Sequence, residues 1–98
     1  MTKKEQVVQP LLVTTLHRGV FFGYGVKTAE STIELENARM CTFWSADMHG
    51  VLGLASHGPS ETCRIGYAAK KILLKEVTMV AEVTPEAEAN WNKQPWSK

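Results

Sequence analysis

The sequence predicts an all-β protein: a small, strongly bent, mainly antiparallel barrel of about six strands with a short C-terminal helix. Three observations support this fold class. The chain has 98 residues, of which 44% are hydrophobic, and this suits one small domain. Short segments rich in β-branched and aromatic residues recur along the chain, separated by turns that contain glycine. A Thr-Pro pair near the C-terminal end indicates the start of one helix.

The chain is expected to form one domain after a short polar segment. Residues 1–9 are predicted to be flexible, and the single barrel domain then spans residues 10–98. Eleven basic and ten acidic side chains give a net charge of +1, which argues against a dedicated binder of nucleic acid or membrane surfaces. No stretch approaches the about eighteen apolar residues of a membrane span, and no apolar run after Lys3 and Lys4 is long enough for the core of a signal peptide. We therefore expect a cytoplasmic protein.

The first half of the chain contains four predicted strands. They are bounded by turn residues and lie at residues 11–16, 20–26, 32–36 and 38–44. In the second strand, Gly23 and Gly25 leave one face nearly bare, which is typical of a strand that bends or lies close to another backbone. The third strand alternates strictly, with Ile33 and Leu35 facing inward. Asn37 separates the third strand from the fourth.

The second half of the chain alternates between loops and apolar segments. Residues 45–50 are polar, and residues 56–62 contain Gly-Pro and hydroxyl side chains that favour turns. Residues 63–66 leave the second of these loops, and the apolar segments that are predicted to be extended lie at residues 51–55 and 71–83. The last segment is predicted to form two strands that bend near Lys75 and Glu76, or one long bent strand. One face of its second part is predicted to contain Val77, Met79, Ala81 and Val83.

A helix is predicted at about residues 84–92. Thr84 supplies a hydroxyl N-cap, Pro85 occupies the first helical position, and glutamates follow in the first turn. The helix is too short to be stable alone, so Trp91 is expected to attach it to the sheet. Residues 94–96 then form a tail.

The cysteines and histidines do not have the spacing of a structural zinc site. Such sites present close ligand pairs, whereas Cys41, His49, His57 and Cys63 are spread at intervals of six to eight residues. We expect no metal and no other cofactor. In a cytoplasmic chain both cysteines are expected to stay reduced.

Catalytic arrangements are equally unsupported. Cys63 could act as a nucleophile beside His49 or His57, with Arg64 lowering the thiol pKa, yet nothing local distinguishes it from a packed cysteine. A triad of Ser45, Asp47 and His49 fails because all three lie on one short loop. We therefore expect a protein that is not an enzyme.

A set of polar and aromatic residues in and beside the loops is the candidate ligand-binding constellation. Arginine and hydroxyl groups suit a phosphate or carboxylate, and an indole offers a face for a ring. The candidates are Arg18, Arg39, Trp44, Ser45, His49, Ser56, His57, Thr62 and Arg64. The structural alternative is that each arginine pairs with an acidic side chain such as Glu34, Asp47 or Glu61.

Four short motifs occur one after another along the chain. They are HRGVFFG at residues 17–23, ARMC-x2-WS-x-D at residues 38–47, GVLGLA at residues 50–55 and CRIG at residues 63–66. Because it contains these four motifs, the chain resembles a family of small uncharacterised proteins encoded by tailed bacteriophages and prophages. The resemblance implies a phage accessory protein that is used in the bacterial cytoplasm, and it assigns no catalytic residues.

The opening strands also resemble those of Sm-like and SH3-like small barrels. The shared pattern is a basic-Gly-Val start at Arg18, a glycine-containing strand, and an alternating strand that ends in Asn37-Ala-Arg. No second Sm motif follows, and the helix is C-terminal rather than N-terminal. RNA binding is therefore not carried over, because fold alone does not specify function.

These observations lead to one functional expectation and two alternatives. We expect a non-enzymatic accessory protein that captures a host protein or a small anionic signal such as a cyclic nucleotide, in counter-defence. The alternatives are a small virion or assembly component with protein contacts only, and a nucleic-acid-binding barrel. A homo-oligomer is expected because the chain has more aromatic surface than so small a core covers. The aromatic residues concerned are Phe21, Phe22, Phe43, Trp44, Trp91 and Trp96.

Overall fold

The computed structural model describes residues 7–16, 19–44, 50–60, 63–66 and 68–93. Within these residues the elements are β1 (Gln9–Thr15), β2 (Val20–Gly25), β3 (Ile33–Phe43), α1 (Gly50–Ser56), β4 (Arg64–Ile65), β5 (Ala69–Leu74), β6 (Val77–Glu82) and α2 (Pro85–Lys93). The predicted six-stranded antiparallel fold with a short C-terminal helix is confirmed. Most of the predicted flexible segment, residues 1–6, lies outside the described residues, and β1 begins at the last residue of that segment.

The sheet is bent and barrel-like. The strand order is β4-β3-β2-β1-β6, and β5 pairs with the first part of β3. Every pairing is antiparallel. Lys75 and Glu76 join β5 to β6, yet among the described residues these two strands do not pair with each other. Among the described strands the sheet is therefore not closed, and one edge of β6 pairs with no other strand.

The sheet separates two hydrophobic clusters. We call the side packed against the helices the helix-covered face; its cluster is Leu12, Val20, Phe22, Cys41, Leu54, Ala55, Cys63, Ile65, Val83, Ala87 and Trp91. We call the other side the inner face; its cluster is Leu11, Val13, Ile33, Leu35, Ala38 and Leu74. Because β1 contributes to both clusters, Leu11, Leu12 and Val13 are all fully buried.

Asn37 forms a β-bulge rather than a break between strands. Its φ is 51°, and the β2·β3 register shifts between Phe22 and Tyr24. The predicted strands at residues 32–36 and 38–44 are therefore one strand, β3. Because of the extra residue, Ala38 stays on the inner face with Leu35, and Arg39 turns toward the helix-covered face.

Gly23 lies where the backbones approach most closely. A Cβ at this position would lie 2.9 Å from the Leu35 Cβ and 3.2 Å from the Ala38 Cα. The predicted bare face of β2 is thus covered by β3, which confirms close backbone approach as the role of this glycine.

Residues 51–55, predicted to be a strand, instead lie in the helix α1. That prediction is wrong because periodicity alone cannot distinguish a short apolar run in a strand from one in a buried helix. Leu54 and Ala55 face the helix-covered cluster, while Leu52 is 63% exposed. Gly58, with φ 82°, follows the helix in the left-handed region, as is common at helix ends.

The bend between β5 and β6 is confirmed, with one correction. Val77 packs with Val80 against the inner cluster, whereas Ala81 and Val83 belong to the helix-covered side. The prediction that Val77 shares a face with Ala81 and Val83 is therefore wrong. The β1·β6 register shifts between Thr14 and Thr15, and this irregularity breaks the alternation.

The C-terminal helix begins as predicted. The Thr84 Oγ1 accepts a hydrogen bond of 3.1 Å from the Ala87 backbone N–H, as an N-cap does. Trp91 is fully buried and stacks on Phe22 with 5.0 Å between ring centroids. The predicted attachment of the helix to the sheet by Trp91 is confirmed, and the tail at residues 94–96 lies outside the described residues. Within the described residues, neither helix has the length and apolarity needed to cross a membrane.

Candidate functional site

The nine predicted ligand-binding residues do not form a single described site. Four of them lie outside the described residues: Arg18, Ser45, His49 and Thr62. The other five occupy three places in the fold. The side chain of Arg39 lies between β3 and α2. Ser56 is the last residue of α1, and His57 follows it. Trp44 and Arg64 lie where β3 and β4 meet.

Arg39 is held by backbone carbonyls. Its Nε donates a hydrogen bond of 2.8 Å to the Gly66 carbonyl, and its Nη1 donates one of 2.9 Å to the Trp91 carbonyl. The side chain is only 9% exposed, and this burial lowers the pKa of its guanidinium from the usual value. The Asn37 bulge turns Arg39 toward α2, so the guanidinium ties β3 to the last turn of that helix.

Ser56 and His57 join α1 to α2. The Ser56 carbonyl accepts a hydrogen bond of 2.6 Å from the Thr84 hydroxyl, and the His57 carbonyl accepts one of 2.6 Å from the Asn90 side-chain amide. The imidazole is exposed, with its Nδ1 3.9 Å from a carboxylate oxygen of Glu86. The described contacts of these two residues therefore hold the helices together.

Trp44 and Arg64 lie at the end of the β3·β4 pair, where we define the ribbon end as Thr42, Phe43, Trp44 and Arg64. Phe43 pairs directly with Arg64, and Phe43 is 49% exposed. Trp44 is half-buried and packs against the helix-covered cluster. The Thr42 hydroxyl donates a hydrogen bond of 3.4 Å to the Arg64 carbonyl. The ribbon end thus places a half-exposed aromatic ring opposite an exposed arginine residue on paired backbone.

Thr42 and Phe43 are the residues of the ribbon end that were not predicted to bind a ligand, and Phe43 is the aromatic one. Its aromatic side chain predicted a core or interface position. The available signal was its place at the end of an extended segment, directly before Trp44 and a polar loop. Sequence alone does not show that this position lies beyond the area covered by the helices.

The cysteines are core residues in their described contacts. Cys41 and Cys63 are 2% and 5% exposed, and both thiols are free. Burial raises the pKa of Cys41 to about 11, and its Sγ donates a hydrogen bond of 3.3 Å to the Phe43 carbonyl. Cys41 therefore stays a neutral thiol at neutral pH. Among the described residues, no three side chains of His, Cys, Asp or Glu come together as a metal site, and His49 lies outside them.

Two grooves lie away from these residues. One, of about 450 Å³, separates the loop at residues 27–30 from β6. The other, of about 330 Å³, lies beside Tyr24, Glu34 and Glu36. The Tyr24 hydroxyl donates to a Glu88 carboxylate oxygen and accepts from the Asn92 amide, both at 2.8 Å. Burial and the neighbouring Glu88 raise the pKa of Tyr24, so its hydroxyl stays protonated as a structural link to α2.

Comparison with known proteins places the chain in a family. A family model described as a domain of unknown function, DUF6948, matches residues 8–91. The chain belongs to the DUF6948 family. The DUF6948 match starts just before β1 and ends at Trp91, so it includes both hydrophobic clusters and the ribbon end. No curated protein and no solved structure matches the chain.

Proposed function

We propose that this DUF6948 chain is a non-enzymatic binding protein that captures another protein through its ribbon end. The observation that carries the proposal is the exposed Phe43 ring directly opposite the exposed Arg64. Aromatic and arginine side chains are enriched among the residues that dominate binding energy at protein interfaces.

The backbone at the ribbon end supports such a role. The β3·β4 pairing and the Thr42 hydrogen bond hold Phe43 and Arg64 in place, and Trp44 is packed on the core. A surface that is ordered before binding loses less conformational entropy when the partner arrives. Protein capture also fits Arg39 better than capture of a small anion does, since two of its donors already bind carbonyls.

The biological setting of the proposal rests on the resemblance to phage and prophage proteins. A phage accessory protein acts in the cytoplasm of the host bacterium, and capture of a host protein there would serve counter-defence. A second copy of this chain, a virion component, a nucleic acid or a small anionic nucleotide would each be a different partner for the same protein. The tests below distinguish them.

A plaque assay tests the proposal in cells. The protein is expressed in bacteria that carry a panel of phage-defence systems, and plaques of a defence-sensitive phage are counted. We expect the wild-type protein to raise the plaque count on at least one strain. The double variant Phe43→Ser with Arg64→Ser should lose this effect.

The matched control is Leu73→Ser. Leu73 is 56% exposed on β5, so this variant removes a similar apolar group from a different surface. It should retain the wild-type plaque count. Full activity of the ribbon-end double variant, or equal loss in Leu73→Ser, would contradict the proposal.

A further inference from the structure

The loop between β2 and β3 lies along the outer edge of β6. It is attached at both ends: the Lys27 ammonium bonds the Glu82 carboxylate, and the Val77 backbone N–H donates a hydrogen bond of 2.9 Å to the Ser31 carbonyl. Between these attachments the loop and the strand separate. The groove of about 450 Å³ between them is lined by Thr28, Ala29 and Glu30 on one side and Val77, Thr78, Met79 and Val80 on the other.

The backbone of β6 can accept another strand along this groove. In an antiparallel sheet, alternate residues direct their N–H and C=O groups to opposite edges of the strand. β1 pairs with one edge of β6 from Glu82 to Val77. Within the described part of the chain, the other edge pairs with no strand, and residues 78–81 have neither proline nor a charged side chain to protect it. An extended backbone is the group that complements such an edge.

The side chains around the groove specify what kind of segment fits. Val77, Met79 and Val80 are half-buried and offer an apolar wall. Lys27 is neutralised by Glu82, whereas the exposed Glu30 leaves a negative charge on the loop side. A basic side chain next to an apolar one therefore matches the groove in charge and polarity.

We propose that this groove is a peptide-binding site for an extended segment of a partner protein that carries an apolar residue beside Lys or Arg. The segment adds to β6 as a further strand. The groove follows residues 77–80, so about four residues of the segment, at about 3.3 Å each, lie within it. This site goes beyond the proposed function, because it uses different residues from the ribbon end.

Peptide selection followed by titration tests the site. A displayed library of random seven-residue peptides is selected on the full-length protein, and the most enriched peptide is synthesised and titrated by calorimetry. We expect enriched peptides to pair an apolar residue with Lys or Arg. Glu30→Lys should weaken binding roughly tenfold, since it replaces an attractive charge with a repulsive one.

Glu34→Lys is the matched control. It makes the same charge change at an exposed position on β3 beside the other groove, and it should leave the affinity within about twofold of wild type. Both substitutions lie on exposed positions, so both variants are expected to fold. Absence of any enriched peptide, or equal weakening by the two variants, would overturn the proposal.

Amide hydrogen exchange supplies the second readout. Strand addition should slow the exchange of alternate backbone amides within residues 78–82 when the peptide is bound, because the N–H groups that face the outer edge of β6 gain hydrogen-bond partners. Protection confined to residues 42–44 and 64 would overturn the β6 site and support the ribbon end instead. The two proposals therefore fail independently.

Discussion

The two faces of the sheet are closed in different ways. On the helix-covered face, α1 and α2 pack on the strands, and polar groups complete the contact: the Trp91 indole donates a hydrogen bond of 3.0 Å to the Leu54 carbonyl. On the inner face, the bend of the sheet brings Leu11, Leu35 and Leu74 together without a helix. The inner face is not covered as far as β6, because a groove lies between this strand and the loop at residues 27–30.

The covered and uncovered parts of the sheet hold polar residues with different roles. Arg39, Ser56 and His57 have their described hydrogen bonds on the helix-covered side, where they join elements to one another. The surfaces proposed to bind partners lie where neither the helices nor the bend covers the sheet. They are the ribbon end, with Phe43, and the outer edge of β6.

Removing the largest side chain of the helix-covered face should have the greatest effect. Trp91→Ala removes the stack on Phe22 and the hydrogen bond to Leu54. We expect the free energy of unfolding to fall by about 3–5 kcal/mol, as measured by urea denaturation followed by circular dichroism. Leu52→Ala, at a 63% exposed position on α1, should change it by less than about 0.5 kcal/mol. A loss below about 1 kcal/mol for Trp91→Ala would show that α2 does not close this face.

Arg39 tests whether a polar group holds the same face together. Arg39→Met keeps an apolar stem and leaves the Gly66 and Trp91 carbonyls without these donors. The free energy of unfolding should fall by about 2–3 kcal/mol in the same urea assay. Arg39→Lys should recover only part of this loss, because an ammonium lacks the planar fork that reaches two carbonyls. Stability equal to wild type in Arg39→Met would leave Arg39 available for the ligand role predicted from sequence.

Gly23 tests the inner face. In Gly23→Ala the added Cβ would lie 2.9 Å from the Leu35 Cβ and 3.2 Å from the Ala38 backbone, so β2 and β3 must separate. We expect a loss of about 1–3 kcal/mol, read from thermal unfolding. Gly66→Ala is the control, because its added Cβ meets nothing closer than the Met40 carbonyl at 3.9 Å. Equal effects of the two substitutions would mean that close packing at Gly23 does not hold the inner face.

Alkaline pH should weaken the helix-covered face by the smallest amount. Burial raises the pKa of Cys41 from 9.0 to about 11, so the folded state favours the neutral thiol. This contribution to stability is complete below pH 9 and is lost as the pH rises toward 11. Urea unfolding midpoints measured across this range should fall more steeply for wild type than for Cys41→Ala. Parallel curves for the two proteins would contradict the assigned cause.

The elements with strong local signals could be predicted from the sequence. The alternation around Ile33 and Leu35 specified a strand with one buried face, and Thr84-Pro85 specified where α2 begins. Residues 51–55 were wrongly assigned to a strand, because five apolar residues fit a strand or a buried helix equally well. The bulges at Asn37 and near Val77 were missed, since one extra residue shifts the alternation without changing the composition.

The site was harder to predict because its decisive contacts involve the backbone. Arg39 was expected to meet a ligand or an acidic side chain, and two of its partners are carbonyls that any residue could supply. Phe43 and Trp44 are neighbours with similar chemistry, yet one is exposed and the other packs on the core. The β3·β4 pairing ends at Phe43, and Trp44 lies beyond it.

Native mass spectrometry of the protein purified from bacteria with active phage-defence systems tests the central claim most directly. Capture through the ribbon end predicts the mass of the chain plus one host protein, and loss of that partner in the Phe43→Ser, Arg64→Ser double variant. A chain that carries only a nucleotide-sized mass, a nucleic acid or further copies of itself would contradict the claim. So would a host protein that the double variant retains.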